Sequence, residues 1–222
     1  MTPFRLASIC VFLPLTSVHT TWLIGTLAGN LTPCMVYWSE CYSISATGRS
    51  YPEFFIFKAL LIPTAVFMFF YWLLLHKWVL SISDYRLNPY LISILGITAC
   101  LALIIYTVTL GAQGEPYALA RRLGVVLYFA FSSFAHLILL SKLRHLNLEI
   151  LTIDKEFKWL KMICGCLVSS AIVSALLGFL WLGWDAWENA YEWWFSLIMI
   201  SQFYLVGLMW RKTRFTLTAQ IG

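Results

Sequence analysis

Six long apolar runs separated by short polar segments account for most of the chain: residues 6–28, 54–76, 90–111, 123–141, 160–182 and 190–210. A helix needs about 20 mainly apolar residues to cross roughly 30 Å of hydrocarbon, and each run supplies them. None of the runs has the polar stripe of a soluble amphipathic helix, as expected where most faces meet lipid or other apolar helices. The pattern predicts an all-α fold, a polytopic membrane protein with a six-helix transmembrane bundle forming one domain over residues 1–222. The first run is too long and too rich in Thr, His and Trp for a signal-peptide core, and no small-residue cleavage site ends it, so it is expected to be a span. Pro14 and Pro63 mark the places where the first two helices would kink or break.

Composition agrees. Of 222 residues, 61% are hydrophobic and 11% charged, with a mean hydropathy of +0.80, whereas soluble domains carry about 25% charged residues. Eleven Trp, eleven Tyr and sixteen Phe suit a chain that meets two membrane–water interfaces. With six spans, the termini and the second and fourth connections share a side. That side carries Arg5, Lys77, Arg86, Lys142, Arg144, Lys155, Lys158, Lys161, Arg211, Lys212 and Arg214, against Arg49, Lys58, Arg121 and Arg122 on the other. The positive-inside rule then puts both termini in the cytoplasm. The membrane is an endomembrane such as the Golgi or the plasma membrane in a eukaryote, and the inner membrane in a bacterium. The net charge of +5 is a topology signal that suits anionic lipid headgroups and gives no support to nucleic-acid binding.

Polar chemistry gathers in two outer segments. The first is "SECYSISATGRSYPE", residues 39–53. Its Ser43 and Ser45 offer hydroxyls just outside the membrane, Gly48 before Arg49 permits a tight turn, and Pro52-Glu53 starts the second helix with an acid near its positive end. Lys58 lies close enough to the interface to snorkel toward Glu53 or a phosphate. These seven residues are the candidate headgroup site; the competing reading is a structural cap over the bundle. Cys34 and Cys41 fall in the same loop and are candidates for a disulfide in an oxidising compartment. Asn30-Leu31-Thr32 matches a glycosylation acceptor but abuts the first span. The second segment, "WLGWDAWENAYEWW" at 181–194, sets Asp185, Glu188 and Glu192 among aromatic residues. It reads either as an aromatic belt with acids kept in water or as part of a headgroup site, and its carboxylates are candidates for acid–base chemistry.

Two His are embedded in apolar runs, and an ionisable side chain at membrane depth is a functional candidate by default. His136 shares a helix face with Ser132 and Ser133, which reads as interhelical hydrogen bonding or as a site; His19 lies in the first run. His136 is the fourteenth residue of its run counted from the outer start, roughly 20 Å down a helix, and so is too deep to pair directly with Glu192. Its Ser-x-x-x-His spacing invites comparison with intramembrane zinc hydrolases, but no second His pair follows on a late helix. The sequence offers no metal set, no cofactor motif and no recognisable catalytic nucleophile. The connection "KLRHLNLEILTIDKEFKWLK", 142–161, reads either as an amphipathic helix along the inner interface or as a solvated connector.

Three stretches carry a family resemblance. "SISATGRSYPEFFIFK" leading into the second helix, "YFAFSSFAHLILLSKLRHL" as the fourth helix with its His, and the acidic-then-aromatic start of the last helix at Tyr191-Glu192 resemble the family of FGF-receptor-activating, damage-regulated-autophagy-modulator and Sfk membrane proteins (Frag/DRAM/Sfk). The family includes proteins that remodel the lipids of GPI anchors. The resemblance implies six spans with both termini inside, work on or beside membrane lipids, and functional weight on Ser43, Ser45, Gly48, Pro52, Glu53, His136 and Glu192. The expected function is therefore binding or remodelling of membrane lipids through the first outer loop and the outer ends of the second and sixth helices. The alternatives are an intramembrane acyltransferase or hydrolase using His136 or the acids at 185, 188 and 192, and a small transporter, which would need helices broken near the midplane. Expected partners are membrane lipids, with a membrane-protein partner as the other option.

Overall fold

The computed structural model describes residues 2–38, 40–83 and 86–216. Six helices follow one another: α1 (Pro3–Leu27), α2 (Glu53–Ile82), α3 (Tyr90–Thr109), α4 (Glu115–Leu143), α5 (Asp154–Leu180) and α6 (Asp185–Lys212). Each is long and apolar enough to cross a membrane. The described residues contain no strand. The protein is an all-helical, six-helix membrane bundle. A 3-10 turn, Ala46–Gly48, lies in the connection between α1 and α2.

Local chemistry explains several helix ends. Thr2 accepts the Arg5 backbone N–H at 3.3 Å and Pro3 follows in the first turn, a pairing that satisfies one exposed donor and presets φ. Asn88 does the same service for Tyr90 at 2.9 Å. α6 begins with Asp185 and Glu188 in its first turn and ends with Arg211 and Lys212 in its last, charges that oppose the helix dipole at both ends.

Helix bounds depart from the apolar runs where a helix outlasts the hydrocarbon. α4 starts at Glu115, eight residues before the run beginning at 123, because Gly114 (φ +108°) turns the chain and Glu115-Pro116 opens the helix. Arg121 and Arg122 are consequently helical residues rather than part of a loop. α2 continues to Ile82, and α5 and α6 begin at Asp154 and Asp185. The 142–161 connection is not a separate interfacial helix: 144–153 are turns, flanked by the end of α4 and the start of α5. Both α1 and α2 run through Pro14 and Pro63 without interruption.

The helices form a ring in chain order. α2 packs between α1 and α3, α3 lies closely on α4, and α6 joins α1 to α5. The ring is loosest between α4 and α5. Its centre is aromatic, with Tyr71, Trp72, Phe203 and Trp210 fully or almost fully buried. Gly96 of α3 lies where a Cβ would run into the Trp72 indole, so only glycine lets α2 and α3 approach this closely. α5 buries little of its surface and is tied to the end of α6 by the Lys212–Glu156 ion pair at 2.8 Å.

Candidate functional site

The first loop is fastened to the start of α6. Glu40 donates its backbone N–H to Ala186 O at 2.9 Å, and the Asn189 amide donates to Cys41 O at 2.7 Å. The indole N–H groups of Trp193 and Trp194 donate to Tyr42 O at 2.9 Å and Tyr37 O at 3.2 Å. A disulfide joins Cys34 to Cys41 within the fastened segment, with Cα atoms 5.6 Å apart. Beneath it, Tyr37 donates to His19 Nε2 at 2.8 Å, because His19 Nδ1–H is committed to Leu15 O at 2.7 Å. Burial pushes the Tyr37 phenol up, which keeps that donor protonated. Tyr42 moves the other way, its oxygen bonded by the Thr32 hydroxyl and approached by the Thr32 N–H.

The second half of the loop packs inward. Thr47 reaches Thr21 of α1 at 3.1 Å, and Gly48 lies so close to Phe57 that a side chain would not fit. Glu53 is 1% exposed, and its two carboxylate oxygens share an N–H of the Asn30 amide, at 2.9 and 3.2 Å. Asn30 also donates to Tyr51 O, just before Pro52. Gly48, Pro52 and Glu53 thus close the α1–α2 junction.

Under this roof, between α4, α5 and α6, lies a cavity of about 820 Å³. Its outer end is polar: Ser43, Ser45 and Arg49 from the loop, Arg121 and Arg122 from α4, and Glu188, Asn189 and Glu192 from α6. Arg49 donates to Ser45 Oγ at 2.7 Å, and Ser45 lies 3.3 Å from Ser43. Arg121 donates to Thr109 O and Ala112 O at 3.1 and 2.7 Å, which also caps the end of α3. The walls below are apolar, with Val125 and Phe129 facing Leu167, Val168 and Phe195. At the bottom, polarity returns in Ser133, Cys164 and Gln202. Phe134 and Ile172, each more than half exposed, also line the cavity, one on each side of the sparse α4–α5 contact. The cavity therefore opens sideways, toward lipid.

A second chamber of about 60 Å³ lies deeper in the bundle. Tyr106, Val125, Phe129 and Glu192 line both spaces and form the wall between them. Tyr106 is 4% exposed, and its hydroxyl has no hydrogen-bond partner in the protein.

Of the residues singled out from sequence, Ser43, Ser45, Arg49, Glu188 and Glu192 meet in the cavity. Asp185 is exposed at the start of α6 and lines neither space. Lys58 does not turn to Glu53; its ammonium donates to Val108 O at 2.8 Å and sits 3.9 Å over the Phe54 ring. His136 is fully buried outside both spaces. Its Nδ1–H donates to Ser132 O at 2.8 Å, which makes Nε2 the acceptor for the Tyr71 hydroxyl at 3.1 Å. A neutral imidazole bonded on both nitrogens, and packed against Trp72 and Phe203, joins α2, α4 and α6. The sequence reading passed over Tyr106, Asn189 and Gln202. Gln202 carried a usable signal, an amide within an apolar run.

Comparison with protein-family models, with curated proteins and with solved structures finds no match to this chain.

Proposed function

We propose that this is a lipid-handling membrane protein that takes a single lipid from the bilayer, holding the headgroup at the outer end of the α4–α5–α6 cavity and the chain along its apolar walls. The observation that carries the reading is the shape of the polarity: a laterally open cavity of about 820 Å³, charged where headgroups lie and apolar where chains lie. Its volume falls within the roughly 300–1,000 Å³ of ligand sites. Three guanidinium groups against two carboxylates favour an anionic headgroup, since guanidinium forms strong paired bonds to phosphate or carboxylate.

The role we propose is non-catalytic. Ser43 and Ser45 are hydrogen-bonded to each other and to Arg49, and both embedded His are bonded elsewhere. An acyltransferase or hydrolase would need one of those hydroxyls activated. The basic face carrying the termini supports a cytoplasmic placement for both, with the cavity mouth in the outer or lumenal leaflet. Membership of the Frag/DRAM/Sfk family, with its lipid-remodelling members, belongs to the same proposal and rests on the three stretches quoted above.

The test is native mass spectrometry of the protein purified in mild detergent, wild type against Arg49→Ala. One lipid class retained by the wild type and depleted in the variant is the expected result. A nonselective lipid profile, identical in the two proteins, would sink the reading.

A further inference from the structure

The deep end of the cavity is polar where a site for plain hydrocarbon would be apolar. Gln202 is completely buried on α6 and lines this end. Its Nε2 donates to Cys164 Sγ at 3.1 Å, leaving Oε1 without a donor in the protein. Exchanging the amide's two ends would leave the nitrogen unpaired instead, so one half of the group is unsatisfied in either orientation. Ser133 Oγ, on α4 at the same end, is likewise buried and without a partner. An unpaired buried polar group is costly, so two on residues that line the same end of one cavity call for an explanation.

Depth along the three helices agrees. Glu192 and Gln202 are ten residues apart on α6, Ser174 and Cys164 ten apart on α5, and Arg121 and Ser133 twelve apart on α4. At 1.5 Å per residue these separations are about 15–18 Å. Three helices thus put polar side chains at both ends of one apolar slot.

We infer that the cavity selects a lipid bearing a hydroxyl deep in its apolar part, about 15 Å from the headgroup, read by Gln202 and Ser133. This inference rests on the lipid-handling reading above. A hydroxyl matches both residues, since its proton can be donated to Gln202 Oε1 while its oxygen accepts from Ser133. In an extended chain that spans about 3.6 Å for every three bonds, 15 Å corresponds to roughly twelve bonds. A fatty acid hydroxylated at its twelfth carbon has that spacing, with its carboxylate at Arg49 and Arg122.

The experiment uses the full chain in detergent and two probes, stearate and the same acid hydroxylated at carbon twelve, compared by native mass spectrometry titration. The wild type is expected to bind the hydroxylated probe at least ten-fold more tightly. Gln202→Leu and, separately, Ser133→Ala are expected to lose that preference while still binding stearate. Ser133→Ala is the small change that keeps the test valid if the Gln202 variant does not fold. Equal affinity of the wild type for the two probes, binding of neither, or a preference untouched by both substitutions overturns the inference. The lipid-handling reading falls separately, on a nonselective co-purified lipid profile that is identical in the wild type and Arg49→Ala, whatever the two probes do.

Discussion

The Asn189 side chain donates to the carbonyl oxygen of Cys41 at 2.7 Å, joining positions 148 residues apart. Through this bond and those from Trp193 and Trp194, the last helix holds the first loop over the cavity mouth. Asn189→Ala removes one such bond, worth about 1 kcal/mol. The expected result is a small fall in thermal midpoint together with faster proteolysis confined to residues 28–52. A uniform increase in cleavage across all connections would show that the bond matters to the bundle as a whole and not to the roof.

The disulfide acts on the same segment by constraining the unfolded chain. For a sequence separation of 7, loop-closure entropy gives roughly 2–3 kcal/mol. Cys34→Ala combined with Cys41→Ala is expected to lower stability by about that amount. Reductant should destabilise the wild type similarly and leave the double variant unchanged, which differential scanning fluorimetry with and without reductant checks.

His136 and Tyr71 make a different kind of contact, wholly within the core and away from the cavity. Tyr71→Phe keeps the ring and deletes the hydroxyl, for a loss of about 1 kcal/mol, near the usual value for an interhelical hydrogen bond in a membrane protein. His136→Ala also leaves a void among Trp72, Phe203 and Tyr71, and is expected to cost more, on the order of 2–4 kcal/mol. In both variants the folded fraction should keep the wild-type complement of co-purified lipid. Loss of lipid from well-folded Tyr71→Phe protein would give the pair a functional role.

These contrasts follow what hydropathy can and cannot report. All six helices were legible because twenty apolar residues in a row have few other uses. The first eight residues of α4 were not, because Glu115 to Arg122 lies outside the apolar run and its helix is set by Gly114 and Pro116. Ser43, Ser45, Arg49, Glu188 and Glu192 stood out as polar residues beside apolar runs. Their meeting point did not, since it depends on the order of the helices around the ring and on the loose α4–α5 seam, both long-range packing outcomes. Glu53 looked like a headgroup ligand for the same reason it is a good buried anchor: it begins a helix next to a turn that Asn30 closes. Gln202 was lost to averaging, one amide within a largely apolar run.

Ala171 offers the most direct test of where the chain of a bound lipid lies. It faces the cavity from α5, in the apolar stretch between the charged mouth and Gln202, on the helix that buries least of its surface. A large side chain there takes up space in the slot without displacing packed core. Ala171→Trp is therefore expected to leave the thermal midpoint unchanged or slightly raised, because an indole filling a cavity gains contacts. Lipid occupancy measured by native mass spectrometry should fall several-fold. Arg49→Ala instead alters which headgroups are retained, so the two variants separate chain from headgroup. Undiminished occupancy in Ala171→Trp, with the fold intact, would mean that the chain lies outside the α4–α5–α6 slot.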